Sequence, residues 1–288
     1  MNDQALNLRR KVNHQNKNRS KAKTLSIISG KGGVGKSNFA INFALELIHA
    51  NKRVILFDLD VGMGNVDILL GLQAKKTIID MLNDKLSIHE IIERGPKGLS
   101  YIAGGSNLTE FFTLNTEKMD YFLKQYEEIS YLYDYVLFDL GAGINKDSLF
   151  FTLSSDEIFV VTTPEPTAIT DAYSMIKQIL SKEQRIPFYV VMNQITSKKD
   201  GLRVLNSFSN VIHKFLHINV NKLGILPTDP SVREAVMKQT PYTLLKRNSP
   251  ISKAIKILVQ SYLDEKPENK NAIQPSFVHR LKQFFLER

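Results

Sequence analysis

Apolar positions along the chain alternate between two patterns. Short runs rich in β-branched and aromatic residues, Thr24–Ser29, Arg53–Phe57, Tyr135–Phe138, Glu157–Val161, Phe188–Met192 and Lys222–Leu226, read as strands buried on both faces, and Leu99–Ile102 as a shorter seventh. Between them Phe39–Ala50, Glu117–Tyr131, Thr167–Lys182, Leu202–Leu216 and Pro250–Leu263 have the length and period of crossover helices. The alternation predicts an α/β fold in three layers, a mostly parallel sheet of about seven to eight strands with helices on both faces. The pattern stops near Leu263. Asp264–Asn271 is charged and contains Pro267, and a short apolar-basic stretch follows it. The expected organisation is a tail over 1–23, a domain over 24–263, a linker over 264–275 and a terminal helix over 276–288.

Composition adds exclusions more than chemistry. With 43% apolar and 23% charged residues over 288 positions, the chain is long enough to bury a core. It has no cysteine, which excludes a disulfide framework, a cysteine zinc site and a thiolate-held iron–sulfur cluster, and suits a reducing compartment. No window reaches the roughly 18 apolar residues of a membrane span and Met1–Gln4 carries no hydrophobic signal stretch, so a cytoplasmic protein is expected. Of the net charge of +9, residues 1–23 carry +6, from Arg9, Arg10, Lys11, Lys17, Arg19, Lys21 and Lys23 against Asp3. Such a tail suits nucleic acid, anionic lipid or an acidic protein face, and equally a solvated segment.

Directly after the first strand stands Gly30-Lys31-Gly32-Gly33-Val34-Gly35-Lys36-Ser37, followed by Asn38 and a helix. Strand, glycine loop and helix in this order form a nucleotide-phosphate site: glycines let successive N–H groups converge on phosphate oxygens, and the helix start adds free donors. Lys36 would counter the β- and γ-phosphates of ATP or ADP, and the Ser37 hydroxyl would ligate Mg²⁺. The second strand ends in Asp58-Leu59-Asp60, and another in Asp139-Leu140-Gly141, so three carboxylates reach the strand ends where doubly wound folds bind ligands. Asp58 and Asp60 otherwise read as a turn or helix cap.

Lys31, two positions into the loop, resembles the second lysine of the deviant phosphate loop in the MinD/ParA family of dimerising P-loop ATPases. That resemblance implies a lysine reaching across an ATP-dependent homodimer to its partner's phosphates. It also implies that Asp60 handles the attacking water, supported by Asp58 and Asn65, that Ser37, Asp60 and Asp139 surround the metal, and that Gly141 is a switch. Asn193 and the Pro227-Thr228-Asp229 turn resemble the adenine-side positions, though both residue types are common in turns for local reasons. Thr163–Ala172 resembles the segment packed at the family's dimer interface.

The chain ends narrow the resemblance. Phe277, Val278, Leu281, Phe284 and Phe285 gather on one side of a short helix with basic groups around the rest, suited to a bilayer interface with anionic lipid or to docking on its own domain. Asp3-Gln4-Ala5-Leu6-Asn7-Leu8-Arg9 is similar to the element that opens FlhG proteins, also called YlxH or FleN. There Asp3, Gln4, Ala5, Leu8 and Arg9 would stimulate an FlhF-like GTPase. With Gly141-Ala142-Gly143-Ile144 and Thr162–Pro166, the resemblance implies slow, dimerisation-dependent ATP hydrolysis in control of flagellar number and placement. The implied partners are FlhF, the switch-ring proteins FliM and FliY, and an anionic membrane surface; nucleic acid is not expected. The rivals are a MinD-type regulator of division-site placement, a ParA-like partition ATPase using the basic tail on DNA, and a scaffold that binds nucleotide without hydrolysis.

Overall fold

A computed structural model of the chain describes residues 20–60, 66–105, 116–143, 146–183, 186–265 and 275–286. Its strands are β1 (Lys23–Ser29), β2 (Val54–Leu59), β3 (Glu93–Arg94), β4 (Ser100–Ile102), β5 (Tyr135–Ala142), β6 (Glu157–Thr162), β7 (Phe188–Ile195) and β8 (Asn221–Pro227). They form one sheet in the order β3-β4-β2-β5-β1-β6-β7-β8, parallel throughout except for β3 against β4. The helices are α1 (Lys36–His49), α2 (Val66–Leu70), α3 (Ile78–Asn83), α4 (Ile88–Ile91), α5 (Thr116–Ser130) and α6 (Lys146–Ser154) in the first half. The second half carries α7 (Pro166–Leu180), α8 (Lys198–Leu216), α9 (Pro230–Met237), α10 (Tyr242–Leu245), α11 (Pro250–Asp264) and α12 (Phe277–Leu286). None of these is long and apolar enough to cross a membrane.

Strands sandwiched between helices are buried on both faces, which is why β2 and β6 read as nearly unbroken apolar runs, while in β1 the buried hydroxyls of Thr24 and Ser26 pair with those of Tyr126 and Ser155. One core gathers α1, α9, α10 and α11 against the sheet, the other α5, α6, α7, α8 and α12. The seven expected strands and five long helices all occur, and α1 begins three residues before the expected Phe39, at Lys36 itself. Helices α2, α3, α4, α6, α9 and α10 and strand β3 were not anticipated.

Two features of the topology position the site. The chain builds outward from β1 in both directions, through β5, β2 and β4 on one side and β6, β7 and β8 on the other, so the crevice where a parallel sheet binds ligands opens above β1. In the β2–β5 register Asp58 pairs with Asp139, which sets the two carboxylates side by side next to the β1 loop. The terminal helix α12 lies against α6 and α5: Phe277 and Leu281 are buried, with the Phe277 ring 4.5 Å from that of Tyr126 and 5.2 Å from that of Phe138. Arg280 fixes its first turn, donating to the Ser154 carbonyl at 2.9 Å and to Asp156 at 2.6 Å.

Candidate functional site

The glycine loop runs from the end of β1 into α1, with positive φ at Gly33 (79°) and Gly35 (88°), a region that only glycine enters freely. Three neighbours fix its shape. Asn193 and Gln194, at the end of β7, donate side-chain amides to the Val34 carbonyl (2.8 Å) and the Gly33 carbonyl (3.1 Å). A Cβ on Gly35 would stand 2.5 Å from the Asn193 amide nitrogen. At Gly30 a Cβ would stand 2.4 Å from the backbone carbon of Asp171, so α7 packs directly on the loop. Gly143, just beyond β5, donates its N–H to the Ser29 carbonyl at 2.8 Å, tying the strand that carries Asp139 to the loop's base.

Lys36 is buried, and its ammonium is 2.6 Å from Asp139 and 3.7 Å from Asp60. Asp139 is fully buried, and its second oxygen, Oδ2, has no hydrogen-bond partner among the described residues. Asp58 accepts from the Asp60 N–H at 3.3 Å and from the Val66 N–H at 3.1 Å, holding the two ends of the segment between them. Burial, and then the neighbouring Asp139 charge, push the Asp58 carboxyl up to about 7, against the opposing pull of those two N–H groups and of Lys36. Ser37, Asn38 and Asp60 line a cavity of about 390 Å³ together with Gly32, Gly33, Gly35, Lys36 and Ala142. Apolar side chains stand at its mouth: Ile68 and Val236 line it, 51% and 40% exposed, and the adjoining Met237 is 79% exposed.

The structure thus brings together the glycine loop, Lys36, Ser37, Asn38, Asp58, Asp60 and Asp139, with Gly141 in β5 beside them. Lys31 does not line that cavity; its ammonium lies 3.0 Å from Glu165 and 3.3 Å from the Thr167 hydroxyl. Asn193 grips the loop. Pro227 and Asp229 do not line the phosphate cavity; Asp229 caps α9 by accepting from the Ser231 N–H at 2.9 Å, and also takes the Ile251 N–H at 3.2 Å. Asn65, the tail residues Asp3, Gln4, Ala5, Leu8 and Arg9, and the Phe285 side chain lie outside the described residues. Gln194 and Glu165 were not singled out from the sequence. The first adjoins an expected residue, and the second sits inside the Thr163–Ala172 segment without a role of its own.

Comparison with known proteins fits this geometry. The ParA family, described as NUBPL iron-transfer P-loop NTPase, matches residues 20–263. The antiactivator FleN of Pseudomonas aeruginosa is 32% identical over 261 residues, covering 90% of this chain and 93% of that protein. The flagellum site-determining protein YlxH of Helicobacter pylori is 30% identical, covering 88% of each. Among solved structures, a MinC:MinD cell division protein complex from Aquifex aeolicus matches with a TM-score of 0.67 at 26% identity, covering 87% of this chain and 99% of that one.

Proposed function

This chain belongs to the ParA family of P-loop NTPases, alongside FleN and YlxH, and on that premise we propose that it is a MinD-type ATPase acting in flagellar number and placement. The observation that carries the enzymatic part is the buried Lys36 amine between Asp139 and Asp60 at the floor of a glycine cradle. The absence of cysteine keeps thiolate-held cluster transfer out of the reading.

The residues suit ATP with Mg²⁺. Positive φ at Gly33 and Gly35 lets main-chain N–H groups face a phosphate without a side chain in the way, and Asp139 Oδ2 is a buried carboxylate oxygen without a partner among the described residues. Ser37 would hold Mg²⁺ with Asp60 and Asp139 nearby, and the bound ion would neutralise charge between the β- and γ-phosphates. Lys36 takes the phosphate oxygens, and Asp60, at the cavity wall, orients the attacking water. Asp58 keeps Asp60 in place by holding both ends of its segment. Gly141, in the strand that delivers Asp139, gives that strand end the freedom to follow the γ-phosphate. Asn193, which grips the Val34 carbonyl, is assigned to the adenine side together with Pro227 and Asp229.

Dimerisation is supported by the apolar rim of Ile68, Val236 and Met237, since exposed apolar groups around a charged cavity suit burial by a second subunit. Lys31 leaves the exposed Glu165 for the partner's phosphates, an exchange that costs little because surface pairs are weak. Lipid binding requires α12 to leave its seat on the domain, because Phe277 and Leu281 are buried there. Peripheral attachment to an anionic membrane thus competes with docking, and pairing two subunits presents two helices together. The tail over 1–23 is assigned to stimulation of an FlhF-like GTPase, and FliM and FliY to the partner set.

Size-exclusion with light scattering, in ADP and in a non-hydrolysable ATP analogue with anionic liposomes added, tests the reading. A dimer that co-elutes with liposomes only in the analogue is expected. A chain that ignores adenine nucleotides, or stays single when saturated with the analogue, refutes it.

A further inference from the structure

At the edge opposite β3 the sheet ends in β8, whose strand partner among the described residues is β7 alone. A strand with one neighbour presents its second row of N–H and C=O groups outward, a template for another chain unless it is covered. Helix α8 stands on one face of this edge and α11 on the other, and between them lies a cavity of about 390 Å³ that shares no lining residue with the phosphate cavity. Its floor is Leu223, Gly224 and Ile225 of the edge strand itself. Gly224 has φ of +148° at a register shift in the β7–β8 pairing, so the strand edge bends within this floor. The walls are apolar and open to solvent: Leu202 on α8 is 42% exposed and Ile257 on α11 is 67% exposed.

The groove also has a sign. Lys198 and Lys253 line it at the end where α8 and α11 begin, and its lining includes no Asp or Glu. A second copy of the same edge brings two more lysines and no lining carboxylate to meet them, and the chain's own tail carries +6 over residues 1–23. Both are disfavoured occupants on charge.

We propose that this groove receives an extended acidic segment of another protein, which adds to β8 as a ninth strand. Successive side chains of an added strand face alternate sides of the sheet, so they meet Leu202 and Ile257 in turn. The segment is therefore apolar over several consecutive residues, with carboxylates at the end that meets Lys198 and Lys253. This interaction goes beyond the nucleotide chemistry and rests on none of the residues that line the phosphate cavity.

The test uses the full-length chain and a display library of random decapeptides, followed by fluorescence anisotropy on the enriched sequences. The proposal expects enrichment of an apolar run with Asp or Glu at one end. Binding should weaken at least tenfold in Ile257→Asp and in the double variant Lys198→Glu, Lys253→Glu. Ile257 is exposed, so its replacement leaves the core intact, and a circular dichroism melt matching the parent verifies that. On binding, amide deuterium exchange should slow in residues 222–226, the signature of main-chain pairing that side-chain contact alone would not give. Enrichment of basic or helix-patterned sequences, affinity indifferent to Ile257→Asp, or protection elsewhere overturns the proposal. So does a nucleotide-independent dimer, seen by light scattering, that Ile257→Asp dissolves, since that outcome gives the groove to a second copy.

Discussion

Phe150→Ala isolates the competition between docking and lipid from the helix that performs both. Phe150 lies on α6, is half-buried and stacks at a tilt on Phe284 of α12, with ring centroids 6.4 Å apart. The substitution leaves every residue of α12 unchanged and removes one receiving surface. An aromatic pair contributes about 0.5–1.5 kcal/mol beyond the apolar area it buries, and with partial loss of that area the docked state should weaken by about 1–2 kcal/mol. The undocked population then rises about 5- to 30-fold. While that population remains small, apparent affinity for anionic vesicles rises by the same factor, because only undocked helix is competent. Deuterium exchange across 277–284 and vesicle co-sedimentation in the absence of nucleotide read the two quantities separately. Faster exchange without any gain in vesicle binding would refute the lipid assignment, and unchanged exchange would mean that Phe277, Leu281 and Arg280 hold the helix without help from Phe150.

Three further outcomes are expected. Lys36→Ala removes the charge-assisted contact to phosphate and should weaken ATP binding by about 10- to 150-fold in calorimetry, at about 1.5–3 kcal/mol for such a bond; unchanged affinity would sink the loop assignment. Asp60→Ala should bind ATP within about threefold of the parent, yet lose turnover by 10²-fold or more, the usual scale of a water-handling group. Parental turnover removes that role. Asp58 is raised to about 7 in the folded chain, above its ordinary unfolded value, so its contribution to stability is fully present at acid pH and fades as pH rises through 7. Denaturant midpoints compared between about pH 5 and 7 should fall more steeply with pH in the parent than in Asp58→Asn; equal slopes would count against that shift.

The strands were legible because a sheet covered on both faces needs unbroken apolar runs, and the phosphate loop because its glycines and lysine occur in a fixed order between strand and helix. Helix α6 was not legible for a related reason. It lies between the sheet and α12, so Leu149, Phe150, Phe151 and Leu153 spread around its circumference and leave no one-sided stripe. Asp229 shows the limit of motif reading: an Asp before a proline suits an adenine-side turn and a helix cap alike, and its side chain here makes the cap. For α12, amphipathicity specifies an apolar face but not what covers it, and the domain itself supplies that cover through Tyr126, Phe138 and Phe150. Gln194 carries no pattern of its own. Its grip on Gly33 depends on a left-handed backbone at φ 57°, which a sequence does not announce.

One amine facing two carboxylates, Lys36 with Asp139 and Asp60, makes the phosphate cavity selective before any chemistry begins. On the proposed reading, an anion that captures the lysine draws it from Asp139 and Asp60 and then confronts them with its own oxygens, which disfavours bare phosphate and unchelated nucleotide. A nucleotide already carrying its divalent ion brings a replacement for the cation it takes. On that reading the cavity favours the chelate as a single object over its pieces gathered in turn.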